Sequence, residues 1–246
     1  MFQLFAPPPQ PPKRSQRSFA ARLAQNLQRE SNKSVKVDAV VLRLKNALGT
    51  VGPMGQPLRM EYPGARVHVV ARAVCGLMLF ADDADRRRFL RRLHVVVRRY
   101  GWSCTAYCLL GTHYHLVVET LRPNLALGIQ ALHSVYARGY NDRHNRHGHV
   151  FSERYKPTLI LDEQHLLEVH RYVVLNPVDA GICEAPGDWR WSSYRATAGG
   201  GPVPGFLAVD HLLALFADER RRGRSRYRAY IADGLEARRP QTPLAA

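Results

Sequence analysis

The sequence has few cysteines and no long apolar run. Its 246 residues include four cysteines, and no two of them have the two-residue spacing that is typical of a zinc knuckle. We therefore expect free thiols in a reducing compartment. No run of about 18 apolar residues is present, which excludes a membrane-spanning helix. The Pro-rich N-terminus lacks the apolar segment of a secretory signal, so we predict a cytoplasmic protein without membrane contact.

Acidic residues are also scarce. There are 20 Asp and Glu against 36 Lys and Arg, which gives a formal net charge of +16 and an isoelectric point near 10.3. This excess predicts a polyanionic partner, with nucleic acid as the first choice and an anionic membrane surface as the second. With nucleic acid as the partner, the protein is expected at the nucleoid. The alternative is a basic protein from an Arg-rich proteome.

The composition divides the chain into three parts. Residues 1–60 hold the proline-rich stretch Pro7–Pro12 and ten Lys or Arg against two Asp or Glu. This composition predicts a largely disordered basic arm over residues 1–56, although Met60 is an alternative start. We expect a folded domain over residues 57–198 and a helical extension over residues 199–246.

Apolar periodicity predicts the order strand, helix, strand, strand, helix, strand, helix, followed by two short terminal helices. The predicted bounds are 67–74, 86–99, two strands within 104–120, then 125–143, 157–161, 163–175, 207–216 and 227–235. A β-α-β-β-α-β run packs as a ferredoxin-like antiparallel sheet with both crossover helices on one face. We therefore predict an α+β fold whose central strands are the first and the third, with the third helix on the other face.

Two histidines mark the third predicted strand. His113 and His115 flank one bulky residue, and a strand alternates its faces with period two, so both imidazoles project from the same side. Two neutral imidazoles on a rigid sheet make half of a divalent-metal site. Because a histidine on a strand is often a core residue, the pair alone is weak evidence.

The third predicted helix carries a polar stripe. Glu168, Tyr172 and Asn176 are four residues apart and therefore share one face. Apolar residues on another face are expected to pack on the sheet, namely Leu166, Val169 and Val173. A simple wet helix edge is the alternative interpretation of the stripe.

Chemistry connects the histidines with the stripe. A phenol has a pKa of about 10 and is a poor nucleophile at neutral pH. It can attack a phosphodiester when a metal polarises the phosphate. Two imidazoles and one oxygen ligand leave positions open for phosphate and water, which suits Mg²⁺ or Mn²⁺. Attack by Tyr172 would leave a covalent phosphotyrosine link that stores the bond energy for rejoining.

Five segments in order resemble the REP-associated tyrosine transposases, which are single-tyrosine members of the HUH group. The resemblance covers about residues 57–200, most of the predicted folded chain. The segments that carry it are Met60–Ala65, Thr112–Leu116, Gly148–Lys156, Arg171–Val178 and Trp191–Tyr194.

The resemblance implies a function for the domain over residues 57–198. It implies a ferredoxin-like fold and a single-stranded DNA substrate that forms a hairpin, the repetitive extragenic palindrome, which is cleaved beside the hairpin and rejoined. By the same likeness His113 and His115 are metal ligands, Tyr172 is the nucleophile, and Asn176 is a third ligand. The sequence departs from the family at Gly111–Thr112, where many relatives have Pro-Asn, and at Arg72–Cys75, where relatives often have Arg-Gly-Asn.

Basic and aromatic residues near these motifs are expected to bind DNA. Arg154 and Lys156 precede the last strand, and Arg190 and Trp191 follow the third helix, where an indole can stack on an unpaired base. Packing against the sheet is the alternative for Trp191. The Arg-rich run over residues 219–226 is interpreted as a phosphate-gripping segment between two helices or as a solvated charge run.

Two other functions remain open from the sequence. One is a nucleic-acid hairpin-binding protein of the same fold without chemistry, and the other is a metal-dependent nuclease that uses water. Replacing the tyrosine distinguishes them, because cleavage by water survives Tyr172→Phe. Both a monomer and a homodimer are compatible with the sequence.

Overall fold

A computed structural model describes residues 61–238, so the predicted basic arm over residues 1–56 lies outside the described residues. The four strands are β1 Ala65–Arg72, β2 Trp102–Leu109, β3 His113–Thr120 and β4 Lys156–Ile160. The helices are α1 Asp83–Tyr100, α2 Leu125–Arg143, α3 Glu163–Asp179, α4 Tyr194–Ala198, α5 Val209–Ala214 and α6 Arg220–Glu236.

The four strands form one antiparallel sheet in the order β2-β3-β1-β4. The order confirms the predicted α+β fold and its two central strands, β1 and β3. Val70 of β1 lies opposite His115 of β3 on one side and Lys156 of β4 on the other. Directly opposed residues in a sheet point to the same face, so this row of three residues crosses one face of the sheet.

One face of the sheet is closed by α1 and α2. Side chains from both helices and from β3 are fully buried there, among them Phe89, Leu116 and Tyr136. Helix α1 begins at Asp82, whose carboxylate accepts from the backbone of Ala84 and Asp85, and ends at Gly101 in the left-handed region. The helix includes the predicted range of 86–99 and begins earlier, at Asp83.

Helix α3 packs on the other face, mainly over β2 and β3. Its apolar side contributes Leu166 and Val173 to a second buried cluster with Cys108 and Val117, as the sequence predicts. The helix extends to Asp179, and the prediction that it ends before Pro177 is wrong. Proline lacks only its own N–H donor, and the following turn stays closed because Ala180 N–H donates to the carbonyl of Asn176.

The chain after α3 covers the free edge of β2. The backbone N–H of Leu109 donates to the carbonyl of Trp191, and Ser193 N–H donates to the carbonyl of Tyr107. An edge strand exposes unpaired backbone groups, and this segment satisfies some of them.

The C-terminal helices share the main hydrophobic core through Leu212, Tyr227 and Ile231. The Arg-rich run over residues 219–226 forms the N-cap and first turns of α6, which corrects its interpretation as a link between two short helices. Arginine is a good helix former, and burial of Gly223 and Tyr227 on one side of these turns favours the helix. In residues 61–238, none of the helices combines the length and the hydropathy needed to cross a membrane.

Candidate functional site: an imidazole and tyrosine cluster

Strand β3 places His113 and His115 on the face that α3 partly covers. The intervening Tyr114 and the following Leu116 point into the closed core, where both are fully buried. The ring centroids of the two histidines are 5.1 Å apart. The hydroxyl of Thr112 lies 3.1 Å from Nδ1 of His113. The strand therefore brings together the two imidazoles that the sequence pairs.

A third imidazole, which sequence reasoning missed, joins them from β1. Nε2 of His68 lies 3.0 Å from Nδ1 of His115, and the two rings stack with their centroids 5.2 Å apart. The sequence does contain a signal for it, because His68 lies between two apolar residues of a strand, Val67 and Val69. Both valines are buried in the core, so His68 points to the opposite face. Only the pairing of β1 with β3 shows that it faces the histidine pair.

Tyr172 comes from α3 and closes the cluster. Its ring lies edge-on to both neighbouring imidazoles, with centroid distances of 5.6 Å to His115 and 5.9 Å to His68. The side chain is 44% exposed, whereas Val173 next to it is fully buried. Helix α3 thus anchors by its apolar side and presents the phenol at the border between the sheet and solvent.

Burial keeps the three imidazoles neutral. Desolvation lowers the pKa of His68 and of His113 to about 4, and His165 and Arg72 respectively add a smaller effect of the same sign. Desolvation and the neighbouring histidines lower the pKa of His115 to about 3. A neutral imidazole has a free ring lone pair, which is the form that binds a metal ion.

One atom of the cluster, Nε2 of His115, is suited to bind a metal ion. Nε2 of His115 is buried and has no hydrogen-bond partner within residues 61–238, although buried polar groups are normally paired. Asn176 is also buried, and its amide donates to the carbonyl of Tyr172 at 3.5 Å. Within the described part of the chain, no group of three or more His, Cys, Asp or Glu is arranged to hold a metal ion.

Two of the predicted DNA-binding residues lie beside this face. Lys156 is on the same cross-sheet row as His115, two strands away, which corresponds to about 10 Å. Its ammonium pairs with Glu153 at 2.8 Å, and its side chain is 68% exposed. Arg154 lies in the exposed segment that leads into β4.

The other two predicted DNA-binding residues lie elsewhere. Trp191 is buried, and its indole N–H donates to Asp83 at the start of α1, on the opposite side of the sheet from α3. Arg190 pairs with the same carboxylate and stacks on the Trp191 ring at 4.8 Å. The packing alternative for Trp191 therefore fits the structure, because its indole lies against the sheet edge and α1.

Comparison with known proteins supports the fold. No family model matches the chain, and no curated protein matches it with significance. A solved structure of a REP-associated tyrosine transposase bound to a REP hairpin aligns with a TM-score of 0.52 and 15% sequence identity. The alignment covers 64% of this chain and 90% of that protein. At this identity the likeness establishes a shared α+β fold with a transposase and leaves the chemistry to the residues themselves.

Proposed function

We propose that the protein is a metal-dependent tyrosine transposase that cleaves and rejoins single-stranded DNA beside hairpins. The observation that carries the proposal is the contact of the Tyr172 ring with His115 and His68 across the interface between α3 and the sheet. An exposed phenol beside neutral imidazoles that could hold a metal ion suits nucleophilic attack on a phosphodiester.

The reaction is a transfer of one phosphodiester bond. The phenol oxygen of Tyr172 attacks the phosphorus, the new bond joins tyrosine to the 5′-phosphate, and the bond to the 3′-oxygen breaks. The leaving 3′-oxygen gains the proton that the phenol loses. No external energy source is required, because one phosphodiester bond replaces another. The reverse attack by a 3′-hydroxyl restores an intact strand and frees the tyrosine.

His113 and His115 are the residues that would hold a divalent metal, Mg²⁺ or Mn²⁺, with the amide of Asn176 as a third ligand. The bound ion would polarise the scissile phosphate and offset its developing negative charge. The fit rests on the neutral state of both imidazoles and on the unpartnered Nε2 of His115. Water and phosphate oxygens would complete the coordination, since within residues 61–238 no group of three or more His, Cys, Asp or Glu is arranged to hold a metal ion.

His68 would fix the proton of His115. If Nδ1–H of His115 donates to Nε2 of His68, the lone pair of His115 is on its buried Nε2, where a metal ligand needs it. The opposite direction of the bond would place the proton on Nε2 and prevent ligation. We infer the first direction, with His68 as a positioning residue.

The net charge and the structural neighbour support the proposed substrate class. That neighbour binds a REP hairpin, and the net charge of +16 suits a polyanion. Lys156, on the same face as His115, would hold a backbone phosphate close to the scissile one, and Arg154 would act beside it. Neither contact distinguishes between bases, so hairpin shape would determine the choice of substrate.

The test is formation of a covalent adduct. A labelled single-stranded hairpin with a palindromic stem is incubated with the full chain and Mg²⁺ or Mn²⁺, and adducts resistant to SDS are counted on a gel. We expect an adduct with the wild-type chain and with Tyr230→Phe, a matched tyrosine on α6, and no adduct with Tyr172→Phe.

Two results would contradict the proposal. Tight hairpin binding without an adduct in either metal would indicate a hairpin-binding protein without chemistry, which the lack of a three-residue ligand group in residues 61–238 favours as the second candidate. Strand cleavage that survives Tyr172→Phe would indicate a nuclease that uses water. Light scattering of the complex would show whether a monomer or a homodimer binds.

A further inference from the structure

A second basic site lies away from the imidazole cluster, between α4 and the first turns of α6. A cavity of about 410 Å³ opens there, lined by Ala198 and Gly199 and by four arginines, Arg220, Arg221, Arg224 and Arg228. None of the lining residues is acidic. A concave surface with several guanidinium groups and no carboxylate is suited to an anion with several oxygen atoms.

The wall of this arginine cavity is shaped for close packing. Gly199 has a φ of 89°, and a Cβ atom at this position would lie 3.1–3.3 Å from the side chain of Arg224. Glycine therefore lets Arg224 lie against the backbone. The Nε atom of Arg224 is buried without a hydrogen-bond partner in the described residues, while Arg228 is held by a 2.8 Å bond to the carbonyl of Ala198.

Arginines outnumber the carboxylates at the N-terminal end of α6. The N-terminal end of a helix carries a partial positive charge, and cations there are destabilising. After the N-cap Glu219, the first turn of α6 has no acidic residue, and it contributes Arg220 and Arg221 to the cavity. Arg220 is offset by Asp210 at 2.9 Å. A bound anion would stabilise the remaining positive charge.

A neighbouring cavity extends the site. It has a volume of about 620 Å³ and shares Ala198, Gly199 and Arg228 with the first cavity. Its other walls include Arg195 and the half-buried ring of Tyr194, along with Asp188. Two cavities that share lining residues, one with four arginines and the other with an aromatic ring beside Arg195 and Arg228, suit a strand of alternating phosphates and bases better than a small anion.

We propose that the arginine cavity is a second phosphate-binding site, which holds the backbone of a single nucleic-acid strand. Helix α6 packs along α3, where Arg171 stacks on the ring of Tyr230 at 4.5 Å. A strand held at α6 is therefore fixed with respect to Tyr172, the neighbour of Arg171. The identity of the strand as DNA rests on the proposed function, whereas phosphate binding does not require cleavage.

The experiment compares two double variants of the full chain that lose the same charge. Arg221→Gln/Arg224→Gln removes two cavity arginines, and Arg98→Gln/Arg222→Gln removes two exposed arginines outside the cavity. Affinity for a fluorescent single-stranded oligonucleotide is measured by anisotropy at several salt concentrations. We expect the cavity variant to lose about tenfold or more, with a salt slope smaller by roughly 1.4, and the control to lose less than about threefold.

Equal losses in both variants would overturn the proposal, since they would indicate a general charge effect. A cavity variant that binds anionic phosphatidylglycerol vesicles less well but the oligonucleotide unchanged would overturn it too. If the double variant melts early, Arg221→Glu, at an exposed position, replaces it and is expected to weaken binding further than Arg221→Gln. A chain that forms no covalent adduct but shows the expected losses would refute cleavage and retain the second site.

Discussion

The two faces of the sheet differ although the same strands build both. On the closed face, Tyr114 and Leu116 are fully buried under α1 and α2. On the other face, His113 is half-buried, Lys156 is exposed, and α3 covers mainly β2 and β3. Successive side chains of a strand point to opposite faces. Neighbouring residues of β3 therefore contribute either to the closed core or to the candidate site.

The comparison shows that the imidazoles of the candidate site lie on the face of the sheet that is only partly covered. A buried imidazole without full hydrogen bonding opposes folding, and the partly covered face has three imidazoles with lowered pKa. The closed face supplies the stability that offsets them. Changes on the two faces are therefore expected to affect different measurements.

The largest effect on stability is expected on the closed face. Leu116→Ala should lower the free energy of unfolding by about 2–5 kcal/mol, because it leaves a cavity among fully buried side chains. Urea denaturation followed by circular dichroism measures it. Val70→Ala, one step away on the other face and only half-buried, should lower it by about 1 kcal/mol. Equal losses would abolish the distinction between the faces.

The next effect is on the pH dependence of stability. Burial lowers the pKa of His170, on the inner side of α3, to about 4, and a free imidazole titrates near 6.5. Between these two pKa values the unfolded chain binds more protons than the folded protein, so the free energy of unfolding falls as pH falls. For this one group the loss is about 3 kcal/mol at pH 4.

Urea denaturation at pH 7, 5.5 and 4.5 checks this dependence. His170→Gln keeps a donor for the carbonyl of Thr105 and removes the titration, so its stability should depend less on pH. An unchanged dependence in the variant would assign the effect to other groups.

A smaller effect is expected from the positioning residue on the partly covered face. His68→Ala should weaken Mn²⁺ binding by about 10–100-fold, because the acceptor that orients His115 is lost. His68→Gln should restore part of the affinity, since its amide oxygen can accept the same proton. Thr158→Ala, directly opposite His68 on β4, is the matched control. Electron paramagnetic resonance of free Mn²⁺ measures the affinity of all three variants. Equal affinities of the wild-type chain and His68→Ala would show that His68 does not position His115.

The smallest effect is expected at the exposed edge of this face. Lys156→Gln should weaken oligonucleotide binding a few-fold and reduce the salt slope by roughly 0.7, which is the value of one phosphate contact on a single strand. Glu153→Gln frees the Lys156 ammonium from its ion pair and should strengthen binding. Anisotropy titrations measure both, and changes of the same sign would contradict the contact.

Much of the fold could be predicted because local signals agree with it. Asp82 and Gly101 bound α1 as their chemistry predicts, and the spacing of Leu166 and Val173 predicts the side of α3 that packs on the sheet. Where prediction was wrong, tertiary packing overrode a local signal. Pro177 did not end α3, and the Arg-rich run became helical because Tyr227 anchors its following turn.

The sequence by itself determined that His113 and His115 share one face and that Tyr172 lies on a different face of its helix from Leu166 and Val173, since both follow from fixed periods along one element. Only the tertiary structure decided what meets them. Strand pairing brings His68 to His115, the indole N–H of Trp191 donates to Asp83, and four arginines line one cavity. Those contacts join residues far apart in the chain, and local periodicity carries no information about such distances.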